Sequence, residues 1–210
     1  METSLTSKSF FSADKKLTFF LLVVATYLVL YIKIVFIENE TAAFEFLADQ
    51  PEGGLLQAIA AIRFLSVPLI YLWKFTVIGF VIWVGSFMFG YRVTYSQCWG
   101  IAVVSEFIFL IPELIKIFWY FVVETDPSYL DIRGFYPLSL MNLFDYTEID
   151  KSFAYPLRAL NVFELIYWYL LISGVHFFAR KKIEIAALIV LSSYILMFFL
   201  WLWFYIVVYK

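Results

Sequence analysis

Apolar residues gather in this chain into long uninterrupted runs, not into the spaced stripes of a soluble amphipathic helix. A helix needs about 20 apolar residues to cross a hydrocarbon core of roughly 30 Å. Five stretches meet that length, at about residues 17–36, 66–89, 100–122, 162–178 and 185–208. None alternates with period two, so the pattern predicts helices and excludes the strands of a barrel. The expected fold class is an all-α integral membrane protein, a five-transmembrane-helix bundle with short interfacial helices in its outer loops. Residues 1–16 are expected to form a cytoplasmic tail, and 17–210 one membrane domain with outer loops at 38–62 and 124–158. The first run exceeds the roughly 7–15 apolar residues of a signal peptide, and Ile37-Glu38-Asn39-Glu40 after it offers no small-residue cleavage site. It is read as an uncleaved span.

The outer loops predict local structure of their own. Ala42 to Leu47 has the length of two helical turns, and Pro51-Glu52-Gly53-Gly54 breaks them. Leu55 to Ile62 is apolar and is placed in the interface before the second span. In the larger loop Asp126-Pro127-Ser128 predicts a turn, and the apolar stretch Pro137 to Phe144 is too short to span. Another short segment after Asp150 ends in Pro156-Leu157-Arg158. Tyr129, Phe135, Tyr136, Tyr146 and Tyr155 lie among these pieces, as expected of an aromatic cap resting on the bilayer. The same cap is a candidate partner-docking surface around Pro137, Leu140 and Phe144.

Composition strengthens the membrane reading. Hydrophobic residues make up 64% of the chain and charged residues 15%, against roughly 45–50% and 25% in soluble domains. Mean hydropathy is +0.88. A net charge of −2 gives nucleic-acid binding no electrostatic basis. The single cysteine, Cys98, excludes an intrachain disulfide.

The distribution of charge predicts orientation. Lys8, Lys15 and Lys16 precede the first span, Arg92 follows the second, and Arg180, Lys181 and Lys182 follow the fourth. Residues 38–62 hold no Lys or Arg but five acids, and 124–158 hold six acids against three bases. The N-terminus is therefore expected in the cytoplasm and the C-terminus across the membrane. For a bacterial cytoplasmic (inner) membrane the far side is the periplasm.

Ionisable groups inside spans normally face protein or water. At a rise of 1.5 Å per residue, Lys33, Lys74, Glu113 and Glu164 all fall about 20–24 Å from the cytoplasmic end. Coincident depth predicts an intramembrane charge cluster, with Lys74–Glu113 as its expected pair. Lys116 lies a turn higher and is expected to snorkel to the outer headgroups. Glu106, about 10–13 Å up, has no base at its depth and reads as a lone mid-membrane carboxyl. It is expected either to hydrogen-bond Ser192 or Ser193 while protonated, or to serve as a proton or ion site.

Catalytic signatures are missing from the sequence: it has no H-E-x-x-H, no G-x-S-x-G and no Walker loop. His176 is the only histidine, so neither a metal nor a cofactor site is expected, and no catalytic residue is assigned. Any energised process must draw on a partner.

The stretch Gly90-Tyr91-Arg92-Val93-Thr94-Tyr95-Ser96-Gln97 opens the third span, which carries Pro112. Leu160-Asn161-Val162-Phe163, Trp168, Gly174 and Arg180-Lys181-Lys182 punctuate the fourth. This order over residues 55–205 resembles the Yip1 family of five-span membrane proteins. The D-L-Y-G-P-type motif of its eukaryotic, GTPase-linked branch is absent. The resemblance is thus to the bacterial members, some of which accompany macrolide-exporter-type ABC systems. It implies a non-catalytic accessory subunit whose partners are an ABC permease, an ATPase and a periplasmic adaptor, with membrane lipid around it. The alternative is an autonomous small transporter or channel using the intramembrane carboxylates. An intramembrane enzyme ranks behind both, because no constellation supports it.

Overall fold

The computed structural model of the chain describes residues 11–38, 53–123, 129–180 and 182–209. The helical turns expected at Ala42 to Leu47 and the turn at Asp126-Pro127-Ser128 lie outside them, as do Lys8 and Lys181. Helices dominate the described residues. Helix α1 (Lys15–Lys33) starts on Asp14, whose Oδ1 accepts from the backbone N–H groups of Lys16 and Leu17, and continues as a π-turn over Ile34–Glu38. Helix α2 (Gly53–Met88) takes in Leu55 to Ile62 without a break, so the expected interfacial piece is the first part of the second span's helix. It ends where Gly90 adopts φ 75°. That left-handed residue lets Tyr91 N–H reach Ser86 O and Gly90 N–H reach Phe87 O, satisfying the last carbonyls.

Helix α3 (Tyr95–Glu106) opens with a capping box, Gln97 N–H donating to Thr94 Oγ1 and Thr94 N–H to Gln97 Oε1. A 3-10 turn at Phe107–Phe109 separates it from α4 (Leu110–Val122). Pro112 supplies the cause: it has no N–H to donate, and its ring crowds the carbonyl of Ile108. The third apolar run is therefore two helices in sequence. Helix α5 (Tyr129–Gly134), a 3-10 turn at Leu140–Leu143 and α6 (Lys151–Ala159) make up the larger loop. Then follow α7 (Val162–Ala179), α8 (Ile183–Val190), a π-turn at Leu191–Ile195 and α9 (Leu196–Val208).

Four helical stretches, Lys15–Ile37, Ala61–Met88, Val162–Ala179 and Ile183–Val208, are long and apolar enough to cross a membrane. Such a set marks a multi-pass membrane protein. Helix α3 forms its axis. Cys98 and every residue from Gly100 to Glu106 are buried, against α1, α2 and α7. Around it pack Leu22 of α1, Phe75 and Ile82 of α2, Tyr167, Leu171 and Val175 of α7, and Ile189 and Val190 of α8. Gly174 makes the α3–α7 contact possible, because a Cβ there would lie 2.5 Å from Ile101 Cγ2. The outward faces of the surrounding helices are apolar and exposed, as at Leu69, Trp73, Phe87 and Trp203. That is the pattern of a bundle solvated by lipid.

Candidate functional site

At the end of α3 a buried carboxyl meets a lysine from the neighbouring α2. Glu106 closes that helix with 3% of its surface exposed, and its Oε1 lies 2.6 Å from Lys74 Nζ on α2. The ammonium stands 4.9 Å above the Phe109 ring and 6.0 Å from that of Tyr167, so two aromatic faces help to solvate it. Glu106 is thus not a lone carboxyl, and Lys74 does not pair with Glu113. Nor do the serines serve Glu106. Ser192 and Ser193 each donate to Ile189 O, at 3.2 and 2.6 Å.

Glu113 takes the other lysine. Lys33 Nζ lies 3.0 Å from its Oε2, joining the last turn of α1 to the first turn of α4. The pair thus ties the point where α1 passes into its π-turn to the point where α4 follows the 3-10 turn. Nearer the centre Tyr71 and Thr26 hydroxyls meet at 2.9 Å, between α2 and α1.

Glu164 stands apart from both ion pairs. It is the third residue of α7, its N–H donating to the capping Asn161 Oδ1. The side chain is 6% exposed, and Oε1 accepts from Trp168 Nε1 at 2.7 Å and Tyr194 OH at 2.9 Å. These neutral donors stabilise the carboxylate without cancelling its charge. Sequence reasoning missed the donors. For Trp168 the signal was present in its spacing of four from Glu164, which places both on one helix face; for Tyr194, on another helix, the sequence carried none. Tyr167 is fully buried, and its hydroxyl, like Glu106 Oε2, Ser86 Oγ and Ser105 Oγ, has no hydrogen-bond partner among the described residues.

The cap is fastened to this layer. Lys116 does not snorkel outward. It is 5% exposed and donates to the backbone carbonyls of Ile132 and Phe135 at the end of α5. Carbonyl oxygens left over at the end of a short helix are good acceptors for a buried ammonium. Tyr120 OH donates to Asp131 O, and an isolated bridge joins Ser139 to Asn161. Burial of Tyr136 raises its hydroxyl's affinity for its proton above the ordinary tyrosine value.

Of the docking residues, Leu140 and Phe144 are 43% and 55% exposed, whereas Pro137 is buried and presents nothing to a partner. The ring turns inward because the chain there closes onto α7 through Val162 N–H to Leu138 O, 3.1 Å. Between Leu138, Leu140, Val162, Leu165 and Trp168 runs an open groove of about 250 Å³, with Glu164 in its wall. A second cleft of about 420 Å³ lies between the end of α4 and the cap, lined by Trp119, Phe135, Asp145 and Tyr146. Asp145 there accepts from Thr147, which holds its carboxyl below the usual range. His176 is exposed at the end of α7, and no group of metal-binding side chains gathers among the described residues. What the arrangement can do is neutralise charge inside a bundle and hold one carboxylate beside an apolar groove. No family model matches the chain, and comparison with curated proteins and with solved structures gives no match either.

Proposed function

We propose that this protein is a non-catalytic accessory subunit of a larger inner-membrane complex, of the ABC macrolide-exporter type to which its Yip1-like punctuation points. In this reading α3, the 3-10 turn and α4 together make a fifth span. The basic end, with Lys15, Arg92 and Arg180, faces the cytoplasm, and the cap faces the periplasm. The observation that carries the reading is the cap surface. Leu138, Leu140, Leu143 and Phe144 are 60%, 43%, 75% and 55% exposed on a loop anchored by hydrogen bonds. Clustered exposed apolar side chains on an ordered element mark an interaction site. Pairing of Lys74 with Glu106 and of Lys33 with Glu113 supports a bundle built for assembly over an autonomous transporter.

Affinity purification in mild detergent followed by mass spectrometry tests it. A permease, an ATPase or a periplasmic adaptor should co-purify in stoichiometric amount, and Leu143→Glu with Phe144→Glu should release it. Recovery of the chain alone would reject the assembly. Cysteine labelling from either side of the membrane at residues 92 and 143 tests the orientation.

A further inference from the structure

We propose that the groove beside Glu164 is a binding site for a cationic amphiphile, an apolar chain ending in an ammonium head. The site would exist in the isolated chain, although Leu138 and Leu140 of its wall also belong to the cap surface of the assembly reading. Its walls are apolar, formed by Leu138, Leu140, Leu160, Val162 and Leu165. Its ionisable group is Glu164. Oε1 of that carboxylate already accepts two hydrogen bonds, from Trp168 and Tyr194. Oε2 accepts none among the described residues, and no cation among them pairs with Glu164. Lys74, the base whose charge reaches it, is committed to Glu106 at 2.6 Å. A charge left in an apolar wall is costly until a counter-charge meets it. An ammonium on a greasy chain supplies both halves of the complement.

The lining also excludes other head groups. Asn161 is the remaining polar residue of the groove. Its Nδ2 is held by Arg158 O and Ala159 O, and its Oδ1 by Glu164 N–H. No side-chain donor of the lining is left over to receive a phosphate or a carboxylate, which disfavours an anionic or zwitterionic lipid head. The groove is slightly smaller than the roughly 300–1,000 Å³ of sites that enclose drug-sized ligands. It would hold the head and the first part of the chain, with the remainder running out over exposed Val162 and Leu165. Its shape is set in advance. Leu138 takes a left-handed φ of 55°, and two backbone hydrogen bonds, Leu140 N–H to Leu160 O and Val162 N–H to Leu138 O, pin the cap side to α7.

Equilibrium dialysis of the purified full chain in nonionic detergent, against protein-free micelles, tests the site with dodecylammonium as probe. One saturable site is expected in the parent protein, with dodecanol and dodecanoate at least about tenfold weaker, the effect of losing one charge-assisted contact. Glu164→Gln keeps an acceptor for Trp168 and Tyr194 and should weaken dodecylammonium by about tenfold or more. Leu140→Trp fills the groove with the carboxylate intact and should do the same; being at an exposed position, it decides the matter if Glu164→Gln does not fold. Equal affinity in parent and variants, or dodecanol binding as tightly as the amine, would overturn the proposal. So would displacement of the amine by phosphatidylethanolamine at equal concentration.

Discussion

Lys74 Nζ meets Glu106 Oε1 at 2.6 Å directly before the 3-10 turn at Phe107–Phe109, so the ion pair clamps α2 to the point where the central helix is interrupted. The carboxylate is almost fully enclosed, at 3% exposure, while the lysine stem reaches the bundle surface. Removing one partner strands the other in a low-dielectric interior.

Glu106→Ala and Lys74→Met should therefore each destabilise the bundle, by about 3–5 kcal/mol if the surviving charge finds no other partner. The double variant should lose much less than the sum. A double-mutant cycle on detergent unfolding measures the coupling, and strictly additive losses would reject the clamp.

Lys33–Glu113 is less enclosed, with side-chain exposures of 11% and 30%. Single charge reversals, Lys33→Glu or Glu113→Lys, should each lower the unfolding midpoint. The double reversal should recover part of the loss, because it restores an opposite-charge contact, though not all, because the exchanged side chains differ in length. No recovery would mean that the contact is incidental.

Gly174→Ala places a methyl 2.5 Å from Ile101 Cγ2 and 3.1 Å from the Phe11 ring. Overpacking of this kind costs about 1–3 kcal/mol. In an Ile101→Ala background, which removes both γ carbons that the new methyl meets, Gly174→Ala should cost less than it does in the parent, as thermal unfolding of the two single variants and the double variant would show.

Asp14 caps α1 with a fully exposed carboxylate, and the N–H groups of Leu17 and Lys16 hold it below its ordinary value of 3.8. The folded value being the lower, its contribution is present above that ordinary value and is lost as pH falls through the folded one. Amide exchange in the first turn of α1 should therefore quicken on acidification. Asp14→Asn keeps an acceptor but cannot titrate, so its first turn should lose this pH dependence.

Much of this was readable beforehand from apolar run length, because lipid imposes one requirement on every span. The depth arithmetic put Lys33 and Glu113 at one height, and the two side chains meet. It failed for Lys74, whose partner is Glu106. Depth specifies a position along the axis, whereas azimuth is decided by packing, and a lysine stem spans more than one helical turn of height. The 3-10 turn also rises about 2.0 Å per residue, which offsets every height counted through it. Pro112 was visible in the sequence, but the shortening of the α3 helix that accompanies it was not. Pro137 misled for a related reason: an apolar loop reads as surface until the hydrogen bonds that fold it inward are known.

The chain order of the buried charges has a consequence for biogenesis. Each base of an ion pair is made before its acid, Lys33 on α1 and Lys74 on α2 preceding Glu106 and Glu113. As segments enter the bilayer from the N-terminus, both carboxylates arrive where a counter-ion already waits, so neither has to face lipid unmatched. Of the three carboxylates it is Glu164 that depends on a later arrival, since Tyr194 follows it by 30 positions. Truncation before the π-turn of the last span should therefore leave that carboxylate half-solvated and the nascent bundle a target for membrane quality control.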